Sequence, residues 1–455
     1  MEITLPETDI LPADLAKAML NQHVADNVET LNYLDLERAA AVLAALPVDR
    51  AVEVLDQPEF FAAPDIVASV PVPHAAMLLN AMAADRAADI VRLLPDDVRP
   101  AVLAVLDDET RAAIARLLVY PEHTAGSLMT TEFVSVPSSY SVGETLDHIR
   151  HVERTRETVY AIYVLEPQTK RLLQMVTLRR LIAAESAAPI LSAARASKPV
   201  TTSPQTDREE VGRLFRKYDL LAVPVVDHFG HVLGIVTVDD AIDAILQEGS
   251  EDVQRFGGMA AIDKPYLQIS FGSMIKKRAG WLCALFLSEM LTASAMQSFE
   301  SELEKALVLT LFIPLIMSSG GNSGSQATSL LIRSLALQEL RVRDWWRVAL
   351  RELPTGIVLG AILGLIGIVR ITLWQKLGLY DYGEYWPLVA LTVGAALVGI
   401  VTFGSMAGSM LPFILQRIGF DPASASAPFV ATLVDVTGLV IYFSVALVIL
   451  KGTLL

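Results

Sequence analysis

The chain has 455 residues, 53% of them hydrophobic, and a mean hydropathy of +0.46, too apolar for an ordinary soluble protein of this length. Its formal charge of −15 is uneven: residues 1–270 carry 23 Lys and Arg against 40 Asp and Glu, net −17, and the remainder is close to neutral at +2. The acidic half argues against nucleic acid and anionic lipid as its partners and favours cations, and the apolar half points to a lipid bilayer. The sole cysteine, Cys283, leaves no intrachain disulfide to form, and all 7 histidines lie at or before His231. The opening "MEITLPETDI" is acidic and has no apolar core, so no signal peptide is expected and the acidic half should stay in the cytoplasm.

Residues 12 to 120 repeat a pattern of short Ala/Leu-rich helices with Pro/Asp turns, as in "RAAAVLAALPVDRAVEVLD" and "HAAMLLNAMAADRAADIVRLLPDD". A period of about 20 residues predicts a small helical solenoid. After "AGSLMTTEFVSV" two similar halves follow, "VYAIYVLEPQTKRLLQMVTLRRLIAA" and "LLAVPVVDHFGHVLGIVTVDDAIDAIL". Each reads as strand, turn, strand, helix. They resemble a pair of CBS domains, a nucleotide- or ion-sensing module. In the second half Thr237 and Asp240 match that family's ribose-contacting Thr/Ser-x-x-Asp. The first half has Thr177 and Arg180 there and lacks the carboxylate, so ATP, as a regulator, is expected at the second half alone.

Residues 238–262 predict a helix leading to the membrane, rich in acids: Asp239, Asp240, Asp243, Glu248, Glu251 and Asp252. Asp240, Asp243, Glu251 and Asp252 fall near one face at helical spacing, as a metal-binding cluster or a solvated surface would. Five apolar spans follow, near 279–298, 305–333, 350–374, 386–416 and 426–450. With the N-terminus inside, the inner ends carry Lys276, Lys277, Arg278, Arg333, Arg341, Arg343, Arg347, Arg351 and Arg417. The outer ends carry Lys305, Arg370, Lys376 and Lys451. That asymmetry predicts a cytoplasmic N-terminus and an extracytoplasmic C-terminus. Outer acids, Glu300, Glu302, Glu304, Asp381 and Glu384, would attract cations.

The stretch "PLIMSSGGNSGSQATSLLIR", 314–333, puts polar and helix-weakening residues inside the second span. Gly320, Gly321 and Gly324 loosen a helix or let backbones approach, and Asn322, Ser323, Ser325 and Gln326 offer hydrogen bonds. Two readings stand: a small-residue helix interface, or a wet path that the span lines with broken helical regularity. Asp435 favours the path. It sits mid-span with no cation in its helix before Lys451, and an Asp at the bilayer centre costs about 2.5–3.5 kcal/mol. Glu289 is a second intramembrane acid, or an interhelical partner. Without histidine in this half, soft metals are poorly served, and carboxylate with carbonyl and water suits hard divalent ions.

Three features together resemble the MgtE family of magnesium channels: "GGNSGSQATSLLIRSL", "DPASASAPFVATLVDVTG", and the order of helical domain, CBS pair, connecting helix and five spans. The resemblance implies a homodimer in the bilayer with its pore on the dimer axis. It implies Asp435 as the pore aspartate, the Ala431 carbonyl one turn earlier, and Asp421 at the cytoplasmic end of the last span. Ala427 stands where relatives can have Asn, removing one ligand for a hydrated ion. Regulatory Mg²⁺ is implied at Glu209, Asp219, Asp240, Asp243, Glu248, Glu251 and Asp252, with Asp89, Asp96 and Asp97 as candidates from the first domain.

The expected fold is therefore a multidomain membrane protein. Its parts are a helical N-terminal domain (1–125), two CBS domains (126–186 and 187–246), a connecting, plug-like helix (238–270) and a transmembrane domain (271–455). The expected activity is Mg²⁺ uptake across the plasma (inner) membrane, closed by Mg²⁺ on the acidic half. Transport of Co²⁺, Ni²⁺ or Mn²⁺ on the same fold stays open, as does, more remotely, a CBS-gated anion channel. An intramembrane metalloprotease would need His-Glu-x-x-His in a span, which the histidine-free half lacks, so no enzyme is expected.

Overall fold

A computed structural model describes residues 10–153, 158–262, 265, 266 and 268–454, with the backbone alone for Leu303 and Lys305. The acidic opening nonapeptide, the Lys305 side chain and parts of the 238–270 connector lie outside the described residues. The chain divides into two compact units, residues 1–248 and 249–455.

Among the described residues the first unit starts with nine short helices: α1 (Pro12–Met19), α2 (Val24–Asn32), α3 (Leu36–Ala45), α4 (Val48–Leu55), α5 (Ala63–Ser69), α6 (Val72–Ala81), α7 (Ala84–Leu93), α8 (Arg99–Val105) and α9 (Asp108–Leu118). From α1 to α9, each packs on the helix two further along, which makes the predicted solenoid. Pro47 and Pro71 sit at the N-caps of α4 and α6 and Asp35 and Asp107 accept backbone N–H bonds at the starts of α3 and α9, so each helix is stopped and restarted within a few residues. Helix starts at Leu36, Ala63, Ala84 and Asp108 give a two-helix unit of 21 to 27 residues. The expected period of about 20 is too short because each unit also carries two connecting turns.

Next come α10 (Ala125–Leu128), β1 (Phe133–Pro137), α11 (Val142–Val152), β2 (Thr158–Leu165), β3 (Leu172–Thr177) and α12 (Leu178–Ala183). β1 runs parallel to β2, and β2 antiparallel to β3. The second half repeats this as α13 (Arg208–Tyr218), β4 (Ala222–Val226), β5 (Val232–Thr237) and α14 (Val238–Phe256), with β4 antiparallel to β5. Thr202 takes the β1 position by pairing with Val225. The two halves bond through Thr130 and Ile235, at 2.8 and 2.9 Å. α14 ends at Phe256, short of the expected Ile262, because Gly258 takes φ +74°, the left-handed stop that closes many helices.

The second unit holds α15 (Phe271–Ser298), α16 (Glu300–Lys305), α17 (Ile313–Ala336), α18 (Trp345–Lys376), α19 (Trp386–Arg417) and α20 (Ala427–Leu450). Among the described residues, five of its helices are long and apolar enough to cross a membrane. The shortest candidate has 23 residues and rises about 35 Å, against a hydrocarbon core of about 30 Å. α17, α19 and α20 pack into one core around Ile316, Ile400, Val434 and Phe443, and the Tyr442 hydroxyl donates to the Leu309 carbonyl at 3.0 Å.

α17 runs as one unbroken helix, so the expected loss of helical regularity in the glycine stretch does not occur. The glycines let α17 and α19 touch instead. A Cβ on Gly408 would fall 2.1 Å from the Gly324 carbonyl oxygen, and one on Gly404 2.4 Å from that of Gly320. Thr328 donates to the Gly408 carbonyl at 2.8 Å, and Ser323 and Ser405 bond across the seam at 2.8 Å. This is the small-residue contact that membrane helices need where apolar burial gives no drive.

Candidate ion pathway and acidic sites

In the membrane unit, α17 presents two different faces. Gly320 packs on Ile400 and Val434, and Gly324 on Val430 and Gly404. Both are buried packing positions. Ser318, Asn322 and Gln326, four residues apart, form an exposed polar stripe on the other side. Gly321 sits between, its missing Cβ 3.4 Å from Ala431 on α20. A polar stripe on an apolar helix requires water or a partner at membrane depth.

Asp435 lies one turn beyond Ala431, half-buried, with no hydrogen bond or ion pair among the described residues. Glu289 of α15 is the charged group that acts on it, and shares a cleft with Pro428 and Thr432 of α20. A carboxylate free of protein partners at that depth is available to a hydrated cation.

At the start of α20, Ser325 donates to the Ala427 carbonyl at 3.4 Å, so this carbonyl, rather than a side chain, meets the polar helix. Asp421 caps the turn before α20 by accepting from Ala423 N at 2.8 Å. Its other oxygen is held by Arg255, which also bonds Glu251 at 2.9 Å. Sequence reasoning missed Arg255, although a lone base four residues after Glu251 was visible. Trp281 donates to Ser426 at 3.2 Å, Lys277 bonds the Ala261 carbonyl, and Gln254 accepts from Ile262 N at 2.6 Å. Gly258 fits against Trp281, where a Cβ would come within 2.7 Å. These contacts fasten the turn after α14 to the N-terminal ends of α15 and α20.

The first unit gathers acids on α4, α7 and α14. Asp85 and Asp89 stand four apart on α7, and Asp239 and Asp243 four apart on α14. Asp56 ends α4. Burial, then Asp85, push the Asp56 carboxyl up to about 7. Burial pushes Asp89 up to about 6, and raises Asp85 and Asp243, the latter also through Glu59 and Asp239. Arg86 spends its N–H groups on the Leu55 and Gln57 carbonyls at 3.1 and 3.0 Å, and one oxygen each of Asp56 and Asp85 is buried without a partner. Orphaned carboxylate oxygens beside further carboxylates suit a hard divalent ion. Asp89 and Asp243 were expected; Asp56, Asp85 and Glu59 were missed, although the i, i+4 spacing of Asp85 and Asp89 was readable.

The remaining expected acids are dispersed. Asp96 is exposed and paired with Arg99 at 3.5 Å, and Asp97 is exposed. Arg208 binds Glu248 at 2.8 Å and Gln247 at 3.1 Å. Glu209 pairs with Arg213, while burial raises its carboxyl. Asp219 is exposed at the end of α13 with φ +51°. Asp252 is partly buried on α14. The buried Thr237 hydroxyl donates to Asp240, so these two are already joined where a ribose would sit.

The acid cluster makes a pH prediction. Its carboxyls hold protons more tightly folded than unfolded, so their contribution is full below the ordinary carboxylate range and is lost as pH rises through about 6 to 7. In Mg²⁺-free buffer the melting temperature of the cytosolic unit in the full chain should fall by several degrees from pH 5.5 to 8, since about 1 kcal/mol moves Tm by ~2–4 °C at this size. Millimolar Mg²⁺ should restore it at pH 8. A flat pH profile in scanning calorimetry would refute the clustering.

Comparison with known proteins adds the family. Residues 313–445 match the divalent cation transporter domain called MgtE, residues 22–123 the MgtE intracellular N domain, and residues 194–247 a CBS domain. The chain is 40% identical to the magnesium transporter MgtE of Thermus thermophilus over 348 residues, 76% of this chain and 75% of that one. It is 35% identical to the magnesium transporter MgtE of Enterococcus faecalis, over 74% of this chain and 72% of that one. Among solved structures, the cytosolic domain of the Mg²⁺ channel MgtE in complex with ATP aligns at 34% identity and a TM-score of 0.47, over 50% of this chain and 93% of that one.

Proposed function

We infer from its sequence relatives and its site that this chain, which belongs to the MgtE family of divalent cation transporters, carries Mg²⁺ across a membrane. It is a transporter and not an enzyme, with five candidate spans and an intracellular N domain. The observation that carries the reading is Asp435, an unpartnered carboxylate at membrane depth, one turn from the Ala431 that Gly321 abuts. The carboxylate with the Ala431 and Ala427 carbonyls would hold an ion that keeps its water, as Mg²⁺ does. Two chains sharing an axis would present two such aspartates to one path. The membrane proposed is the plasma (inner) membrane, and the distribution of Lys and Arg supports an extracytoplasmic C-terminus.

The test is Mg²⁺ flux by the full chain in proteoliposomes, with Co²⁺, Ni²⁺ and Mn²⁺ as competitors. Preference for Mg²⁺ supports the reading; equal or better transport of Co²⁺ hands it to a broader divalent carrier. Cytosolic Mg²⁺ on the acids of α4, α7 and α14 is proposed to close the path. ATP, as a regulator at Thr237 and Asp240, would first have to open the bond between them, so an Asp240→Ala chain should lose ATP binding in calorimetry.

Arg255 has a defined part in this scheme. It neutralises Asp421 at the inner end of the last span and so favours the closed arrangement. A partly exposed ion pair contributes up to about 1 kcal/mol, or roughly fivefold. Arg255→Gln should raise the internal Mg²⁺ that half-closes the channel by about that factor, read as flux across an internal Mg²⁺ titration. An unchanged midpoint would remove Arg255 from gating.

A further inference from the structure

Two clefts open along α15, both within the membrane unit. The first, about 450 Å³, lies at its cytosolic end, between Gln254, Ile262, Tyr266, Met274, Arg278 and Leu282. The second, about 760 Å³, runs deeper along Leu282, Leu285, Phe286, Glu289, Pro428 and Thr432. Leu282 lines both, so they are consecutive stations on one side of the helix. The first mixes a base, an amide and a phenol with apolar side chains. The second is apolar apart from Glu289, at its deep end, and Thr432.

Arg278 is exposed and has no ion pair or hydrogen bond among the described residues, and Lys276 stands two residues before it, likewise exposed and unpaired. Lys277 between them is committed to the Ala261 carbonyl. The intracellular N domain puts this end of the first span at the cytosolic face, where Lys, Arg and Tyr meet lipid headgroups. From Arg278 to Glu289 the helix rises about 16 Å, and one leaflet of a hydrocarbon core of about 30 Å is about 15 Å deep. Cationic mouth and apolar trough thus have the order and length of one phospholipid.

We propose that the two clefts form a single site for an anionic glycerophospholipid, its phosphate on Arg278 with Gln254 and Tyr266 beside it, and an acyl chain in the trough between α15 and α20. A free phosphate or nucleotide would leave the trough bare, and a zwitterionic lipid would leave Arg278 without a net counter-charge. The site rests on the turn that follows α14, directly after the helix end whose Arg255 holds Asp421. A bound lipid therefore braces the fastening of that turn to the inner end of α20.

The experiment is native mass spectrometry of the full chain in detergent, titrated with phosphatidylglycerol or phosphatidylcholine of identical chains. Wild type should hold phosphatidylglycerol about fivefold more tightly, the effect of one base near an anionic headgroup. Arg278→Gln should lower phosphatidylglycerol to the phosphatidylcholine level. Leu282→Trp, at a residue 55% exposed and so free to accept the larger side chain, should weaken both lipids. Equal retention of the two lipids by wild type overturns the proposal, as does phosphatidylglycerol binding unchanged in Arg278→Gln. A trough covered by a second copy of the chain would show as no lipid bound while Leu282→Trp splits the oligomer, and that result also overturns it.

Discussion

Mg²⁺ flux is expected to vanish when Asp435 is replaced by alanine, while the chain folds and assembles as before. The expectation comes from two opposed energies. An aspartate near the bilayer centre costs about 2.5–3.5 kcal/mol, and no hydrogen bond or ion pair among the described residues offsets that cost for Asp435. The alanine chain should therefore be no less stable than wild type, so a dead but well-folded variant isolates a role in transport. Asp435→Asn separates charge from hydrogen bonding: an amide keeps the shape and one acceptor but not the net charge that a dication needs. Asp435→Glu should retain little flux, because Mg²⁺ demands near-octahedral oxygens at about 2.0–2.1 Å and the longer side chain moves the carboxylate. Wild-type flux in the alanine variant would show that ions pass elsewhere. An alanine variant that no longer folds would make Asp435 a structural group.

Asp435 stands out in the sequence as a candidate because a charge within an apolar span has few explanations. The domain order and the five spans were readable for the same kind of reason, since helix period, turn residues and hydropathy are local signals. The glycine stretch shows the limit. Its composition allowed either a tight helix contact or a wet path, and the folded chain packs Gly320 and Gly324 against α19 and α20 while Asn322 and Gln326 face outward. A sequence lists residues at helical spacing but does not say which neighbour each face meets. The acids of α14 show the same limit. Glu248 and Glu251 looked like free ligands, yet Arg208 and Arg255 hold them. Arg208 lies 40 residues from Glu248 in sequence, beyond any local pattern. Asp56 and Asp85 went unnoticed because their partners are on α7 and α14, brought together only by the fold. The end of α14 at Phe256 was legible in "FGG" and was passed over for the acids upstream.

Neutralising the buried acids together, as Asp56→Asn, Asp85→Asn, Asp89→Asn and Asp243→Asn in one chain, should leave the channel open at high internal Mg²⁺. Two effects of that change oppose each other. Losing four carboxylates removes repulsion, which favours the compact state; it also removes the ligands through which Mg²⁺ would tie α4, α7 and α14, which disfavours it. The pKa values decide between them. Asp56 is raised to about 7 and Asp89 to about 6, so at neutral pH protons already cancel part of the repulsion. The ligand loss is complete, so it should win. The size of the effect follows from population arithmetic. A swing from 1:99 to 99:1 needs about 5.5 kcal/mol of differential binding, and one site at ten times its dissociation constant supplies about 1.4 kcal/mol. Several weak sites must act together, which makes closure steep in Mg²⁺ and lets a single change such as Asp243→Asn shift the midpoint by a few-fold only. The fourfold variant should lose the steepness as well, giving nearly equal flux at low and high internal Mg²⁺. Protons compete for the same oxygens, so lowering the internal pH to 5.5 should raise the Mg²⁺ needed to close wild type and leave the variant unaffected. Flux from proteoliposomes loaded with graded Mg²⁺ at the two pH values measures all of this. A fourfold variant that closes at the wild-type concentration would reduce the cluster to a buried acidic surface with no part in gating.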